Sequence, residues 1–270
     1  MRFLTVLVPC LSVLMTVCAA DHDDHRHEAA PPAHDASAPI VHEASAAPAA
    51  EAHAASAPVA DAHGAHGAAA SGSEPPAQGL SGRQALDRLL AGNKRFVADQ
   101  MTLAHKGSSR RGEVAKGQHP IAIIVSCSDS RVPPEQVFDQ GNGDLFVVRT
   151  AGNIVDAVAL GSIEYAADHL HVPLILVLGH QRCGAVTAAV GTSAPPGHIL
   201  AVVENIQQHL KGTKPLPGDT VEQAVQINAR GVAQDIATSK PILEGLVRSE
   251  DVVVVAARYD LDSGEVTLLP

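Results

Sequence analysis

A change in composition near Gly79 confines the folded part of this chain to residues 80–270. Between Asp21 and Gly79 the chain is dominated by Ala, Pro, Ser and His, and it contains no Phe, Tyr or Trp. The branched aliphatic residues of this segment are only Ile40, Val41 and Val59. So little apolar surface cannot offset the conformational entropy that ordering would cost. We therefore predict a disordered His/Ala/Pro-rich tether over residues 21–79.

Residues 1–20 have the layout of a secretory signal peptide. Arg2 precedes an apolar run, and the small residues Ala19 and Ala20 end it before a charged stretch. The run is shorter than the roughly 20 apolar residues that span a membrane, so we expect no membrane span after cleavage. Export is the prediction, to the periplasm if the source is a Gram-negative bacterium, with lipoprotein anchoring at Cys18 as the alternative.

More than half of the 15 histidines of this chain lie in the tether. They are His22, His25, His27, His34, His42, His53, His63 and His66. Histidine-rich tracts bind transition metals weakly, so one interpretation is zinc capture for the downstream domain. The alternative interpretation is a soluble spacer.

The remaining residues, 80–270, have the size of one domain with a substantial core. The chain carries a formal net charge of −10, and no cluster of basic residues is visible in the sequence. Nucleic-acid binding needs a basic surface to meet the phosphates, so this charge argues against a nucleic-acid partner.

Short apolar runs alternate with helical patterns along the domain. Ser81 with Gln84 forms a capping-box pattern before the first helix. Runs typical of buried strands cover 121–126, 145–149, 174–178 and 252–256, and a last strand covers 265–269. Helical patterns cover 158–170, 185–190, 199–210 and 221–239. The alternation predicts an α/β fold, with a mostly parallel central sheet of four strands plus a C-terminal edge strand, flanked by helices, and an N-terminal helical arm.

Two unusual polar segments follow the first and third predicted strands. They are Cys127-Ser128-Asp129 and His180-Gln181-Arg182-Cys183. Ligands of an open parallel sheet bind beyond the carboxyl ends of its strands. Two thiolates and one imidazole are ligands that zinc favours, and three protein ligands leave a fourth position for water. A disulfide between Cys127 and Cys183 is the alternative in an oxidising compartment.

The role of Asp129 depends on charge. Zinc with two thiolates is neutral overall, so Asp129 as a fourth ligand would close the site and make it anionic. The guanidinium of Arg131 stands at a spacing that allows a bidentate pair with this carboxylate. Paired in this way, Asp129 would be free to orient a metal-bound hydroxide.

The two segments together resemble the β-carbonic anhydrases. The resemblance is carried by Cys127-Ser128-Asp129-Ser130-Arg131, by His180-Gln181-Arg182-Cys183-Gly184 and by the opening Leu89-Leu90-Ala91-Gly92-Asn93-Lys94-Arg95-Phe96. It covers residues 80–270 and neither the leader nor the tether. It implies reversible hydration of carbon dioxide to bicarbonate and a proton by zinc-bound hydroxide, with one Zn²⁺ per subunit. The implied zinc ligands are Cys127, His180 and Cys183, and the implied catalytic dyad is Asp129 with Arg131.

The same resemblance implies a substrate pocket and an oligomer. Gln118 matches a substrate-orienting glutamine of the plant-like members, and Phe146, Tyr165 and Gly184 match pocket positions. Members of the family are dimers or multiples of dimers that share these residues across an interface, with the opening helix lying across the partner. We therefore expect a homodimer or a dimer of dimers.

The lack of any tryptophan separates this chain from the allosteric subgroup that the family contains. It predicts the open form, in which Asp129 pairs with Arg131 at neutral pH. Two other functions stay open at this point. Relatives of the family hydrolyse carbon disulfide or carbonyl sulfide on the same fold, and a non-enzymatic zinc-binding protein of the envelope could be built on the tether.

Overall fold

The structure is a computed structural model that describes residues 79–102, 105–213 and 218–270. The predicted signal peptide and all but the last residue of the predicted tether lie outside the described residues. None of the helices within these ranges has the length and apolar character that crossing a membrane requires.

Helices and strands alternate in the described residues as the sequence predicts. The helices are α1 (Gly82–Val97), α2 (Gly107–Val114), α3 (Pro134–Val137), α4 (Ala157–Asp168), α5 (Gly184–Val190), α6 (Ile199–Leu210), α7 (Thr220–Ala237) and α8 (Leu243–Arg248). The strands are β1 (Ala122–Cys127), β2 (Leu145–Thr150), β3 (Leu174–His180), β4 (Val253–Tyr259) and β5 (Val266–Leu269). A 3-10 turn over Ala151–Asn153 follows β2.

These strands form one sheet in the order β2-β1-β3-β4-β5. The first four pair in parallel, and β5 pairs antiparallel with β4. This confirms the predicted α/β fold with a mostly parallel sheet and a C-terminal edge strand. Parallel pairing brings the carboxyl ends of four strands to one edge of the sheet, which we call the carboxyl edge. Its strand-end residues are Thr150, Cys127, His180 and Tyr259.

The two faces of the sheet each bury an apolar cluster, because alternate strand residues point to opposite sides. Ile124 lies in the cluster that contains Leu89 of α1. Its neighbour Val125 lies in the cluster that contains Ile163 of α4 and Val232 of α7. Since β1 is buried along its whole length, it reads in the sequence as a continuous apolar run rather than an alternating one.

The first helix packs on the sheet of its own chain. Its capping box is present as predicted, since Ser81 N donates to Gln84 Oε1 at 2.8 Å and Gln84 N donates to Ser81 Oγ at 3.3 Å. A Cβ atom at Gly92 would lie 1.8 Å from the carbonyl oxygen of Phe138, so only glycine allows this close approach. That α1 also lies across a second subunit stays a prediction.

Three short helices were not predicted from the sequence. They are α2, α3 and α8, and none is longer than 8 residues. None of the residues of α2 is buried, so this helix has no apolar stripe for a periodicity argument to detect. Strand β4 extends to Tyr259, beyond its predicted end at residue 256, because the polar Arg258 near its end disguises the strand.

Candidate metal centre

Three predicted ligand residues meet at the carboxyl edge because two neighbouring strands end there. Cys127 is the last residue of β1, and His180 is the last residue of β3. Cys183 follows a short turn and is the N-cap residue of α5. Since β1 and β3 pair in parallel, their ends lie side by side, where ligands of such sheets bind.

The ligand atoms of these residues converge. The two Sγ atoms and an imidazole nitrogen all lie within 4.8 Å of one another, and Cys127, His180 and Cys183 are all buried. Both cysteines are free thiols, so the structure does not contain the disulfide that the sequence left open. Two sulfurs and one nitrogen in this arrangement match the donor set that zinc prefers.

The protonation of His180 suits a metal ligand. Its Nδ1 lies 3.0 Å from the carbonyl oxygen of Gln181, which can only accept, so Nδ1 carries the hydrogen. The other ring nitrogen, Nε2, is buried and has no hydrogen-bond partner among the described residues. A buried lone pair without a partner is costly, and a cation bound to Nε2 would satisfy it.

The pKa values of the two thiols shift in opposite directions. Hydrogen bonding from Cys183, and further hydrogen bonds from backbone N–H groups, lower the pKa of Cys127 despite its burial. The hydrogen bond to Cys127, burial and the adjacent negative charge raise the pKa of Cys183. The pair on its own thus favours one thiolate and one thiol. A divalent cation between the sulfurs would compensate both negative charges and allow the second proton to leave.

Asp129 and Arg131 form the bidentate pair that the sequence predicts. Arg131 Nε donates to Asp129 Oδ1 at 2.9 Å, and Arg131 Nη2 donates to Asp129 Oδ2 at 2.7 Å. The backbone N–H of Arg131 adds a third bond to Oδ1 at 2.9 Å. The hydrogen bonds from Arg131 hold the pKa of Asp129 well below its ordinary value. Asp129 Oδ2 also lies 3.8 Å from His180 Nε2, which places the carboxylate beside the ligand group.

Sequence analysis missed two residues of this centre. Arg149 Nε donates to the carbonyl oxygen of Cys127 at 3.0 Å, and its Nη2 donates to that of Asp129 at 2.6 Å. Gly152 donates its backbone N–H to Cys127 Sγ at 3.3 Å. Arg149 lies at the end of β2 and Gly152 lies just after it, beside the end of β1. Their place on the carboxyl edge was the signal available in the sequence.

The structure does not bring all of the predicted pocket residues to the ligand group of their own chain. Gly184 follows Cys183 directly and begins α5. Gln118 is exposed and precedes β1, whose other end carries Cys127. Phe146 pairs with Ile123, near the start of both strands.

The other predicted aromatic position, Tyr165, lies on α4. It is 48% exposed and contacts His169 edge to face, with ring centroids 5.3 Å apart. The roles of Gln118, Phe146 and Tyr165 in a substrate pocket therefore stay predictions.

Comparison with known proteins places this fold and this centre in a family. A family model described as carbonic anhydrase matches residues 122–266, which include the three ligand residues and both members of the Asp129–Arg131 pair. The chain belongs to the β class of carbonic anhydrases. Carbonic anhydrase 2 of Mycobacterium tuberculosis is 39% identical over 188 residues, which are 67% of this chain and 89% of that protein.

Other carbonic anhydrases agree in sequence and in structure. The carbonic anhydrase of Mycolicibacterium smegmatis is 42% identical over 185 residues, again 67% of this chain and 89% of the relative. The structure of the Coccomyxa β-carbonic anhydrase in complex with acetazolamide superimposes with a TM-score of 0.56 and 27% identity. It covers 68% of this chain and 86% of the Coccomyxa chain.

Membership of the β class identifies the cofactor of this chain. The chain is an enzyme of the lyase type, and the reaction of its family is the hydration of carbon dioxide. Its cofactor is zinc, and Cys127, His180 and Cys183 form a buried group that could hold this ion.

Proposed function

We propose that this chain catalyses the reversible hydration of carbon dioxide to bicarbonate and a proton at one zinc ion held by Cys127, His180 and Cys183. Family membership supports the reaction. One observation carries the assignment of the residues. The ligand atoms lie within 4.8 Å of one another on three buried residues, and His180 Nε2 has no partner among the described side chains and backbone groups.

The ligand set determines the charge of the proposed centre. A zinc ion bound by three protein ligands acts as a Lewis acid and lowers the pKa of water in its fourth position toward neutrality. The thiolates of Cys127 and Cys183 balance the two positive charges of the ion. A carboxylate in the fourth position would make the centre anionic and exclude the water that reacts.

We assign to Arg131 the task of keeping Asp129 out of that position, which is the open form of the site. Arg131 engages both carboxylate oxygens of Asp129. Because Arg131 also lowers the pKa of Asp129, the carboxylate stays ionised and acts as a hydrogen-bond acceptor. Asp129 Oδ2 can then accept a hydrogen bond from the reacting water and turn the oxygen lone pair toward carbon dioxide.

We further propose that the active form is at least a dimer in which the partner supplies pocket residues. Gln118 precedes β1 and Phe146 lies near the start of β2, away from the ligand group of their own chain. Strand β2 lies at an end of the sheet, and on α4 the apolar Val158 and the aromatic Tyr165 are 79% and 48% exposed. A second copy packed against this side would cover these residues.

A mixing experiment tests this sharing. The Gln118→Ala chain keeps its zinc ligands, and the Cys183→Ser chain keeps its glutamine, so each variant alone should hydrate carbon dioxide poorly. After the two are unfolded and refolded together, mixed dimers should regain activity at the site that combines an intact ligand group with an intact glutamine. Activity that equals the sum of the separate variants would refute the sharing.

Export stays part of the proposal. The layout of residues 1–20 supports cleavage by a signal peptidase. N-terminal sequencing of the mature protein from a Gram-negative host would locate the cleavage. A mature chain that still begins at Met1 would refute it.

The proposed function is tested by measuring metal content and turnover on the same samples. The mature protein should contain one zinc per chain and hydrate carbon dioxide in a stopped-flow assay, with no release of sulfide from carbonyl sulfide or carbon disulfide. Deleting residues 21–79 should change neither result. Loss of zinc on that deletion would support the envelope zinc-binding function instead, and release of sulfide without hydration would support the other hydrolase.

A further inference from the structure

A line of hydrogen bonds runs from α7 to a proposed zinc ligand. Asn228, on α7, is fully buried, and its Nδ2 donates to the carbonyl oxygen of Gly152 at 2.9 Å. Gly152 in turn donates its N–H to Cys127 Sγ at 3.3 Å. On the other side of Asn228, its Oδ1 lies 2.9 Å from Nδ1 of His209 on α6.

The direction of these hydrogen bonds is determined by their ends. The carbonyl oxygen of Gly152 can only accept, so the amide nitrogen of Asn228 must face it. Asn228 Oδ1 then faces His209 and needs a donor there, so His209 Nδ1 carries a hydrogen. His209 Nε2 lies 2.9 Å from Asp235 Oδ2, and a carboxylate also only accepts, so each ring nitrogen of His209 donates one hydrogen bond. The Asn228 amide therefore has one orientation that satisfies all of its neighbours.

Glycine allows this arrangement at position 152, because it adopts left-handed backbone angles readily. Its φ angle of +69° lies in the left-handed region, and a Cβ atom there would lie 2.7 Å from Ile206 Cδ1. The residue therefore follows the end of β2 in a sharp turn rather than continuing the strand. Asn228 holds the carbonyl side of this residue while the amide side points at the sulfur.

We propose that Asn228 is a positioning residue of the metal centre, which through Gly152 aims a backbone N–H at the sulfur of Cys127. The inference rests on the proposed zinc site. A hydrogen bond to a thiolate withdraws charge from the sulfur, so it stabilises the ionised ligand and weakens its donation to the metal. Thiolates make zinc a weaker Lewis acid than imidazoles do, and this N–H offsets part of that effect.

A second buried asparagine provides a matched control. Asn93 Nδ2 donates to the carbonyl oxygens of Val137 and Gly264 at 3.1 and 2.8 Å, and its Oδ1 accepts from Val266 N at 2.9 Å. Asn93 is 4% exposed, almost as buried as Asn228. Unlike Gly152, however, none of its hydrogen-bond partners forms a hydrogen bond to a proposed zinc ligand. A purely structural role of Asn228 would make the two asparagines equivalent.

The experiment compares Asn228→Ala and Asn228→Asp with Asn93→Ala in the mature protein. Zinc affinity is measured by competition with a chelator, and the sulfur-to-metal charge-transfer band is recorded after replacement of zinc by Co²⁺. The Asn228 variants should lose about tenfold in zinc affinity, the low end of the range for groups that support metal ligands. Their charge-transfer band should also move, and the pH of half-maximal hydration should rise. Asn93→Ala should lower the melting temperature and leave all three quantities unchanged.

Variants of His209 test the same line without touching the buried amide. His209→Phe removes the donor to Asn228 Oδ1 and should shift the charge-transfer band in the same direction by a smaller amount. His209→Gln can restore a donor and should return the band toward the wild type. These variants decide the question if the Asn228 variants do not fold.

Two outcomes would overturn the inference in different ways. Asn228 and His209 variants with unchanged zinc affinity and an unchanged Co²⁺ spectrum, in a protein that holds zinc, would refute the positioning role alone. A wild-type protein that holds no zinc would refute the proposed function and this inference with it.

Discussion

The carboxyl edge and the contact that holds α1 both bury polar side chains against the same sheet. This contact, which we call the anchor, consists of Asn93 and its hydrogen-bond partners Val137, Gly264 and Val266. The two regions use their buried polar groups differently. At the anchor, all three hydrogen bonds of the Asn93 side chain go to backbone groups of its own chain. At the carboxyl edge, His180 Nε2 has no such partner among the described residues. It converges instead with the sulfurs of Cys127 and Cys183. The anchor is complete within the chain, and the carboxyl edge is the place where we propose a metal ion.

Convergence of ligand atoms, rather than one unmet hydrogen bond, distinguishes the two regions. Asp139 Oδ1 is also buried without a partner among the described residues, yet Asp139 does not belong to the group of Cys127, His180 and Cys183. A single unmet group costs stability. Several ligand atoms within reach of one cation can repay that cost by binding it.

The largest expected effect is a loss of zinc, which should follow a change at the carboxyl edge and not a change at the anchor. Cys183→Ser removes one thiolate from the proposed site, so zinc content should fall and hydration should drop by more than about 100-fold, beyond the loss for supporting groups. Asn93→Ser is the control, and it should keep one zinc per folded chain. Metal analysis with stopped-flow hydration checks both variants. A Cys183→Ser protein with full zinc and full turnover would show that the converging atoms are not the site.

The next effect sharpens the comparison by testing two ion pairs of similar form. Arg131 and Arg182 are 53% and 51% exposed at the side chain, and each side chain makes two hydrogen bonds to one aspartate. Arg131→Ala should free Asp129 to bind zinc, so turnover should be abolished while zinc is retained.

Arg182→Ala serves as the matched control. It breaks the pair with Asp262, and a fully exposed pair of this kind contributes little to stability. Turnover of this variant should stay near that of the wild type. Stopped-flow hydration of both variants decides, and wild-type turnover in Arg131→Ala would contradict the gating role of the Asp129–Arg131 pair.

A third effect lies at the anchor and concerns stability alone. Asn93→Ala leaves two backbone carbonyls and one backbone N–H without their partner, so the free energy of unfolding should fall by about 3 kcal/mol. Zinc affinity and turnover per folded molecule should not change. Denaturant titration followed by circular dichroism measures the loss. A variant of unaltered stability, or one that loses zinc while folded, would break the division between the two regions.

The smallest effect is a pH dependence at the β4–β5 turn that supports the anchor. The backbone N–H of Ser263, then that of Asp262, and the Arg258 side chain lower the pKa of Asp260 from 3.8 to about 2. Because the pKa is lowered in the folded protein, this carboxylate contributes its full stabilisation at every pH above its pKa in the unfolded chain. This stabilisation is lost as the pH falls through the pKa that Asp260 has in the folded protein.

The measurement is the difference in unfolding free energy between the wild type and Asp260→Asn. It should be constant above about pH 5 and shrink as the pH falls toward about 2. A difference that instead grows as the pH falls would show that Asp260 is not held as an ionised acceptor by these groups.

Much of the fold was predictable because each of the four parallel strands begins with an apolar run. The runs that begin near residues 121, 145, 174 and 252 were found as β1 to β4, with ends within three residues of those predicted. The short helices α2, α3 and α8 escaped prediction because they carry no long apolar periodicity. Their positions depend on what they pack against, as for α3, whose Phe138 carbonyl meets Gly92 of α1.

The order and chemical types of the candidate ligands were in the sequence itself. Cys127, Asp129 and Arg131 follow one buried strand, and His180 and Cys183 follow another. Adjacent parallel strands end together, so local pattern is enough to predict that these groups meet. A metal centre followed from that pattern, and the reaction followed from the resemblance of these segments to the β-carbonic anhydrases.

Only the tertiary structure decided how the centre is supported. Asn228 reaches Gly152 across 76 positions of sequence, and Arg149 reaches Cys127 across 22. Which backbone N–H points at Cys127 depends on these long-range contacts. Contacts of this kind arise when α6 and α7 pack over the turn after β2, and a local pattern carries no record of that packing because neither partner is close to the other along the chain.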